Sequence, residues 1–232
     1  MKIHPLECRT CLNRKNSLFT YCIPEELESL DLRKKSNIYK KGDILFSEGS
    51  FPLGVYCINS GSVKIVKKNN DGKEQIIRLA KPGDLIGYRS LLAGTKYSAS
   101  AVLFEDSVAC FIPGDLFEKL LRGNEFLEFQ LIKKLSAALG EAEGRIAMMT
   151  LKPVKERLAE ILLLLDKLYS QGNNGVWFTV SRDDLGSLVG TAKETGIRLL
   201  TELKEENIIE TRGSKIRILD KEKLLHISHL HD

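Results

Sequence analysis

The hydrophobic rhythm of this chain changes part-way along it. From Ile38 to Ile112, short runs rich in β-branched and aromatic residues recur: Asp43-Ile-Leu-Phe, Val55-Tyr-Cys-Ile, Ser62-Val-Lys-Ile-Val, Glu74-Gln-Ile-Ile-Arg-Leu, Ser98-Ala-Ser-Ala-Val and Val108-Ala-Cys-Phe-Ile. Gly42, Gly49, Gly61, Gly83 and Gly94 punctuate them, and Asn69 to Gly72 reads as a hairpin turn because Asp-Gly accommodates positive φ. Short strands at even spacing predict a β-sandwich or barrel. From about Asp115 the period becomes helical. Ile132, Leu135, Leu139, Ala142, Ile146 and Met149 step by three and four, an a/d heptad seam with Lys133, Lys134, Glu141, Glu143 and Arg145 off it. Such a narrow stripe predicts a partner helix, most simply that of a second copy, although packing against the chain's own barrel is the alternative. Pro153 ends this helix, so Leu151-Lys152 reads as a hinge. Val154 to Tyr169 follows as a second amphipathic helix, and residues 171–175 as a loop.

Two short helices are predicted beyond that loop. Ser181-Arg-Asp-Asp opens the first with a capping-box pattern toward Asp184, and Leu185, Leu188 and Val189 give it an apolar face. Gly190 breaks it, and Thr191 is expected to cap the second. Leu199, Leu200 and Leu203 point that helix inward, and Thr211 to Ile218 looks like a β-hairpin wing. Two helices joined by a tight glycine-containing turn make a helix-turn-helix. Its exposed leading face would carry Thr191, Lys193, Glu194, Ile197 and Arg198 toward a major groove. Arg suits guanine N7 and O6, and Glu suits cytosine N4. Glu194 and Arg198, four residues apart, can instead pair as a surface ion pair. Arg182, Lys204, Arg212, Lys215 and Arg217 are candidates for salt-dependent phosphate contacts.

Composition narrows the classes without choosing among them. The 232 residues are 43% apolar and 28% charged, with a net charge of +4, mildly basic and compatible with nucleic acid. No apolar run is long enough to span a bilayer, and residues 1–5 lack the apolar core of a signal peptide, so a cytoplasmic protein without membrane contact is expected. Five cysteines, an odd number, argue against a disulfide framework there and for metal or redox chemistry. Cys8-x-x-Cys11 is a two-ligand metal or cluster motif. Cys57 reads as strand packing. His4 is a weaker candidate ligand, and His226, His229 and His231 form a tail patch that reads as unstructured. No nucleophile–base pair or nucleotide-phosphate loop stands out, so the chain does not read as an enzyme.

Lys40-Lys-Gly-Asp-Ile-Leu-Phe-Ser-Glu-Gly, Val55 to Lys64, Pro82-Gly-Asp-Leu-Ile-Gly, Lys155-Glu-Arg-Leu-Ala and Val189 to Arg198 occur in order, and together they resemble the CRP/FNR family of bacterial regulators. The resemblance covers Cys8 to about Leu219. It implies an α+β chain with a cyclic-nucleotide-binding-type jelly-roll barrel, a long dimerisation helix and a winged helix-turn-helix. It also implies a homodimer on a two-fold symmetric duplex DNA site and contact with RNA polymerase. The expected division is a cysteine-bearing leader at 1–24, a sensory barrel at 25–114, the dimerisation helix and hinge at 115–152 and the DNA-binding domain at 153–232. The family's Glu-x-x-x-Arg pair falls on Glu194 and Arg198. Ile197 departs from the small polar residue common in the FNR branch; it can meet a thymine methyl but donates no hydrogen bond.

The same resemblance bears on what is sensed. In cAMP-binding members a Glu and an Arg hold the ribose and the cyclic phosphate; here Tyr88 and Tyr97 stand in those places. An anion without its Arg loses a charge-assisted pair, which counts against cAMP. Tyr88, Arg89, Tyr97 and Ser98 are the residues around which a haem or another small ligand would sit in a barrel that uses one. In the FNR branch a leader cysteine set and a lone cysteine on a late strand hold a 4Fe–4S cluster. Cys8, Cys11 and Cys22 match the leader set in order, with a longer gap before Cys22, and Cys110 matches the lone cysteine. A cluster, a zinc ion, a thiol switch and simple packing all remain open on count alone. The uncharged seam predicts a dimer that survives loss of the effector, with signalling through the 151–153 hinge.

Overall fold

Strand pairing in the first part of the chain closes two antiparallel sheets over each other. The computed structural model describes residues 7–170 and 175–229; His4, His231 and most of the expected 171–175 loop fall outside them. The strands are β1 (Lys35–Tyr39), β2 (Ile44–Phe46), β3 (Gly54–Ser60), β4 (Val63–Lys68), β5 (Glu74–Ala80), β6 (Leu85–Ile86), β7 (Ser100–Leu103) and β8 (Ser107–Pro113). They form one sheet in the order β1-β8-β3-β6 and another in the order β2-β7-β4-β5. The crossed order is that of a jelly roll, as expected. Ile58, Val63, Ala101, Leu103 and Ala109 fill the space between the sheets. The β4–β5 turn forms where Asp-Gly predicts it, with the Gly72 amide donating to the Asn69 carbonyl at 3.0 Å.

A second apolar cluster lies outside the barrel. Leader residues Leu18, Phe19 and Cys22 join Leu27 and Leu30 of α1 (Pro24–Arg33), Tyr88 of α2 (Tyr88–Leu92) and Leu116, Phe117, Leu120 and Leu121 of α3 (Gly114–Gly123). The stretch after residue 115 is two helices rather than one. Asn124 adopts extended backbone, and its Oδ1 accepts from the Leu127 amide at 2.9 Å, which caps α4 (Glu125–Leu151). At 27 residues, α4 is about 40 Å long. Ile132, Leu139 and Ile146 lie 52%, 62% and 65% exposed along one line of it, spaced by sevens.

The chain divides into two compact units, one ending at Ala138 and one beginning at Leu139. The second holds the end of α4, then α5 (Val154–Ser170), β9 (Phe178–Thr179), α6 (Arg182–Val189), α7 (Lys193–Glu205), β10 (Ile209–Arg212), β11 (Lys215–Ile218) and α8 (Lys221–Ser228). Leu158, Ile161, Leu162 and Leu165 of α5 are buried, as are Leu185 and Leu188 of α6 and Leu199 and Leu203 of α7. The small sheet runs β10-β11-β9. Among the described residues no helix is long and apolar enough to cross a membrane.

Candidate functional site

Two regions concentrate chemistry, one in each unit. In the first, the leader folds back against the β1-β8-β3-β6 sheet and closes a pocket lined by Cys8, Cys11, Cys57 and Cys110, with Arg14, Lys34 and Asn59 around them. The cavity is small, about 30 Å³, room for one or two waters. Hydrogen bonds hold its wall. The Cys8 amide donates to Asp31 Oδ1 at 2.7 Å, and Asn13 Nδ2 donates to the Asn59 carbonyl at 2.6 Å. Three sulfurs meet polar partners: Lys34 Nζ donates to Cys8 Sγ at 3.2 Å, Asn59 Nδ2 donates to Cys11 Sγ at 3.4 Å, and Ser36 Oγ lies 3.3 Å from Cys110 Sγ. Lys34 is also ion-paired with Asp31.

Burial raises these thiols. Cys8 and Cys22 are each pushed from 9.0 up to about 12 by desolvation, against the pull of Lys34 on Cys8. Desolvation raises Cys57 and Cys110 as well, and the Ser36 hydrogen bond partly offsets the rise at Cys110. Burial works against the charge on Lys34, but its bonds to Asp31 and Cys8 outweigh that and hold the ammonium above its ordinary value. Burial therefore favours the protonated form of Cys8, Cys57 and Cys110, beside the Lys34 cation.

The second region is built on the turn between α6 and α7. Ser181 Oγ accepts from the Asp184 amide at 3.0 Å, the predicted cap of α6. Gly190 ends that helix at φ +71°, a left-handed position that an L side chain resists. Gly186 has a different reason to be glycine: a Cβ there would stand 3.1 Å from the Thr191 carbonyl. The cap of α7 is Ala192, not Thr191 as expected. The Thr191 amide still bonds the Gly186 carbonyl at 3.0 Å, so Thr191 belongs to the end of α6. The exposed face of α7 carries Lys193, Glu194, Ile197 and Arg198 side by side, with Thr191 half-buried at its edge. Arg198 pairs with Glu202, one turn further along, at 2.7 Å. Lys193 reaches Asp183 across the turn at 2.9 Å. Arg182 donates to the Gly213 carbonyl at 2.8 Å and so fastens the wing turn, while Arg212 and Lys215 stand exposed on the wing. Arg212 and Arg217 both lie about 5 Å from the ring centre of Trp177, and Glu210 pairs with both.

Fold and interface fit known families. The cyclic nucleotide-binding domain family matches residues 37–124, and the Crp-like helix-turn-helix domain family matches residues 156–227. This chain belongs to the CRP/FNR family of transcription regulators. Like its relatives, this CRP/FNR protein is a DNA-binding regulator and not an enzyme. It is 29% identical to the anaerobic regulatory protein of Pasteurella multocida, over 96% of this chain and 83% of that one. It is also 29% identical to the fumarate and nitrate reduction regulatory protein of Vibrio cholerae, over 96% of this chain and 90% of that one. The structure of FixK2 from Bradyrhizobium japonicum superposes with a TM-score of 0.74 at 24% identity, over 86% of this chain and 99% of that one.

The structure of this CRP/FNR protein bears on three further sequence expectations. Cys57, read as packing, does pack against the apolar cluster and also lies on the pocket wall; Cys22, expected as a ligand, lies within that cluster beside Leu18 and Leu27 and does not line the pocket. The four residues expected around a barrel ligand differ in exposure. Tyr88 is 1% exposed and Tyr97 is buried, stacked on Phe46 with ring centres 3.9 Å apart, whereas Arg89 and Ser98 face outward. The expected hinge carries bonds across it: Arg157 donates to the Met149 carbonyl at 2.7 Å and to the Gly190 carbonyl at 3.4 Å, and Lys152 donates to the Ser228 carbonyl at 2.9 Å. Lys34 and Asn59 escaped the sequence reading, because nothing local to either residue signals a neighbouring sulfur.

Proposed function

We propose that this CRP/FNR regulator works as a homodimer that reads a two-fold symmetric DNA site and responds to oxygen or redox state through a 4Fe–4S cluster held by leader cysteines and Cys110. The observation that carries the reading is the convergence of leader and barrel thiols on one cation-flanked pocket. When bound, such a cluster supplies oxidant-sensitive iron–sulfur bonds. The chain's own groups do the rest: Lys34 and Arg14 bring positive charge to the thiolates, and the Asn59 and Ser36 side chains offer hydrogen bonds to sulfur, the kind of contact that tunes a cluster.

One further point supports this reading. The relatives' names refer to anaerobic regulation and to fumarate and nitrate reduction.

Recognition is assigned to Glu194, Ile197 and Arg198 on base edges, with Thr191 and Lys193 beside them. Arg182, Arg212 and Lys215 are assigned to phosphates, and Ile132, Leu135, Leu139, Ala142, Ile146 and Met149 to the dimer seam. Family membership supports the two-fold arrangement and a contact with RNA polymerase. The deciding experiment is the absorption spectrum of anaerobically purified protein together with its retention on duplex DNA. Broad absorption near 400 nm that bleaches in air, with DNA retention lost on bleaching, is the expected result. A sharp Soret band would replace the cluster with haem, and a colourless, iron-free sample would remove the cluster.

A further inference from the structure

We infer that Cys57, rather than Cys22, supplies the fourth thiolate of the pocket, so that the ligand set is Cys8, Cys11, Cys57 and Cys110. This inference rests on the cluster reading above and changes which residues carry it.

Strand register is the first ground. β3 pairs antiparallel with β8, and Cys57 lies directly opposite Cys110. Directly opposed residues point to the same face of a sheet with Cβ atoms about 5 Å apart. The two sulfurs therefore sit side by side on the pocket floor, and Cys8 and Cys11 of the leader cover them. Each pair reaches the cavity from its own element, one from the sheet and one from the Cys-x-x-Cys turn.

The neighbours of each candidate point the same way. Cys57 shares the pocket wall with three other thiols, Cys8, Cys11 and Cys110, and Cys22 does not line that wall. Cys22 is also held among Leu18, Phe19, Leu27 and Leu30, and it precedes Pro24, whose ring fixes the backbone at the start of α1. To reach the pocket it would have to leave that core, while Cys57 already lines it. In binding, Cys57 passes its proton to solvent and its sulfur lone pair to iron, with no change of oxidation state.

The test is anaerobic reconstitution of the full chain with ferrous iron and sulfide, followed by iron and acid-labile sulfide analysis, visible absorption and electron paramagnetic resonance of the reduced sample. Wild type, Cys57→Ala, Cys57→Ser and Cys22→Ala are compared, each checked for folding by circular dichroism. Cys22→Ala is expected to match wild type in iron content and spectrum, and Cys57→Ala to take up less than half as much iron. Should Cys57→Ala fail to fold, Cys57→Ser decides, because oxygen in place of sulfur alters the resonance line shape at an unchanged fold. Full iron content and an unaltered spectrum in the Cys57 variants, with loss in Cys22→Ala, would overturn the inference and leave the cluster reading intact. Wild type that takes up no iron would overturn both.

Discussion

Arg198 is held by Glu202 through a surface ion pair, worth little by itself, so it can exchange that partner for a base edge at small cost. Arg198→Ala or Glu194→Ala is expected to weaken binding to the cognate site by about 10- to 100-fold, matching roughly 1–3 kcal/mol per specific base contact, and to relax sequence preference. Arg212→Ala should instead weaken all duplexes alike and lower the slope of log affinity against log salt by about one; fluorescence anisotropy across a salt series separates the two behaviours. The thiols yield a pH prediction. Cys8 and Cys22 stand at about 12 in the fold against 9.0 ordinarily, so the folded metal-free chain holds protons that the unfolded chain sheds. Their stabilising contribution is full below about pH 9 and is lost as pH rises toward 12. Urea melts of reduced, metal-free protein should show stability falling over that window, and less steeply in Cys8→Ala. At this scale the sequence was readable where chemistry is local. Ser181 caps α6 and Asp71-Gly72 turns as their own neighbours dictate. The role of Cys57 was not readable, because it depends on which residue of a strand far along the chain lies opposite.

Elements were legible wherever the apolar period was strong. Alternating β-branched runs became the barrel strands, and the two helices of the DNA-reading turn lie where their apolar faces place them. Two boundaries escaped. Asn124 caps a new helix inside what reads as one helical stretch, although Asn followed by Glu and an apolar run was an available signal. Thr191 looks like a cap by residue type, but its amide is already committed to Gly186. Pro153 does end α4, yet the joint beside it is bolted. Arg157 bonds the last turn of α4 at Met149 and the α6–α7 turn at Gly190, and Arg145 donates to the Leu188 carbonyl at 3.1 Å. Arg157→Ala removes two bonds to carbonyls in a half-buried setting, each worth about 1–3 kcal/mol when its partner is left unmet. The variant is expected to melt several degrees lower and to bind DNA more weakly. An unchanged melting curve would show that the joint is loose in solution.

For the whole molecule, the exposed line Ile132, Leu139 and Ile146 sets the expected assembly, because apolar residues spaced by sevens on a single helix are the seam of a helix pair. Ile146→Glu puts two like charges face to face across a two-fold axis. It should raise the dimer dissociation constant at least tenfold, as sedimentation or light scattering at micromolar concentration would read. The seam carries no ionisable residue, so wild-type protein stripped of iron should still sediment as a dimer. A monomer under those conditions would move the switch from domain orientation to assembly. Trp177 has a consequence of its own for the complex. It is the chain's one tryptophan, and two guanidinium groups of the wing cover its ring. Phosphates that draw Arg212 away would change the surroundings of that indole and of no other, so the colour and intensity of the protein's own emission should report docking of the wing without any attached dye.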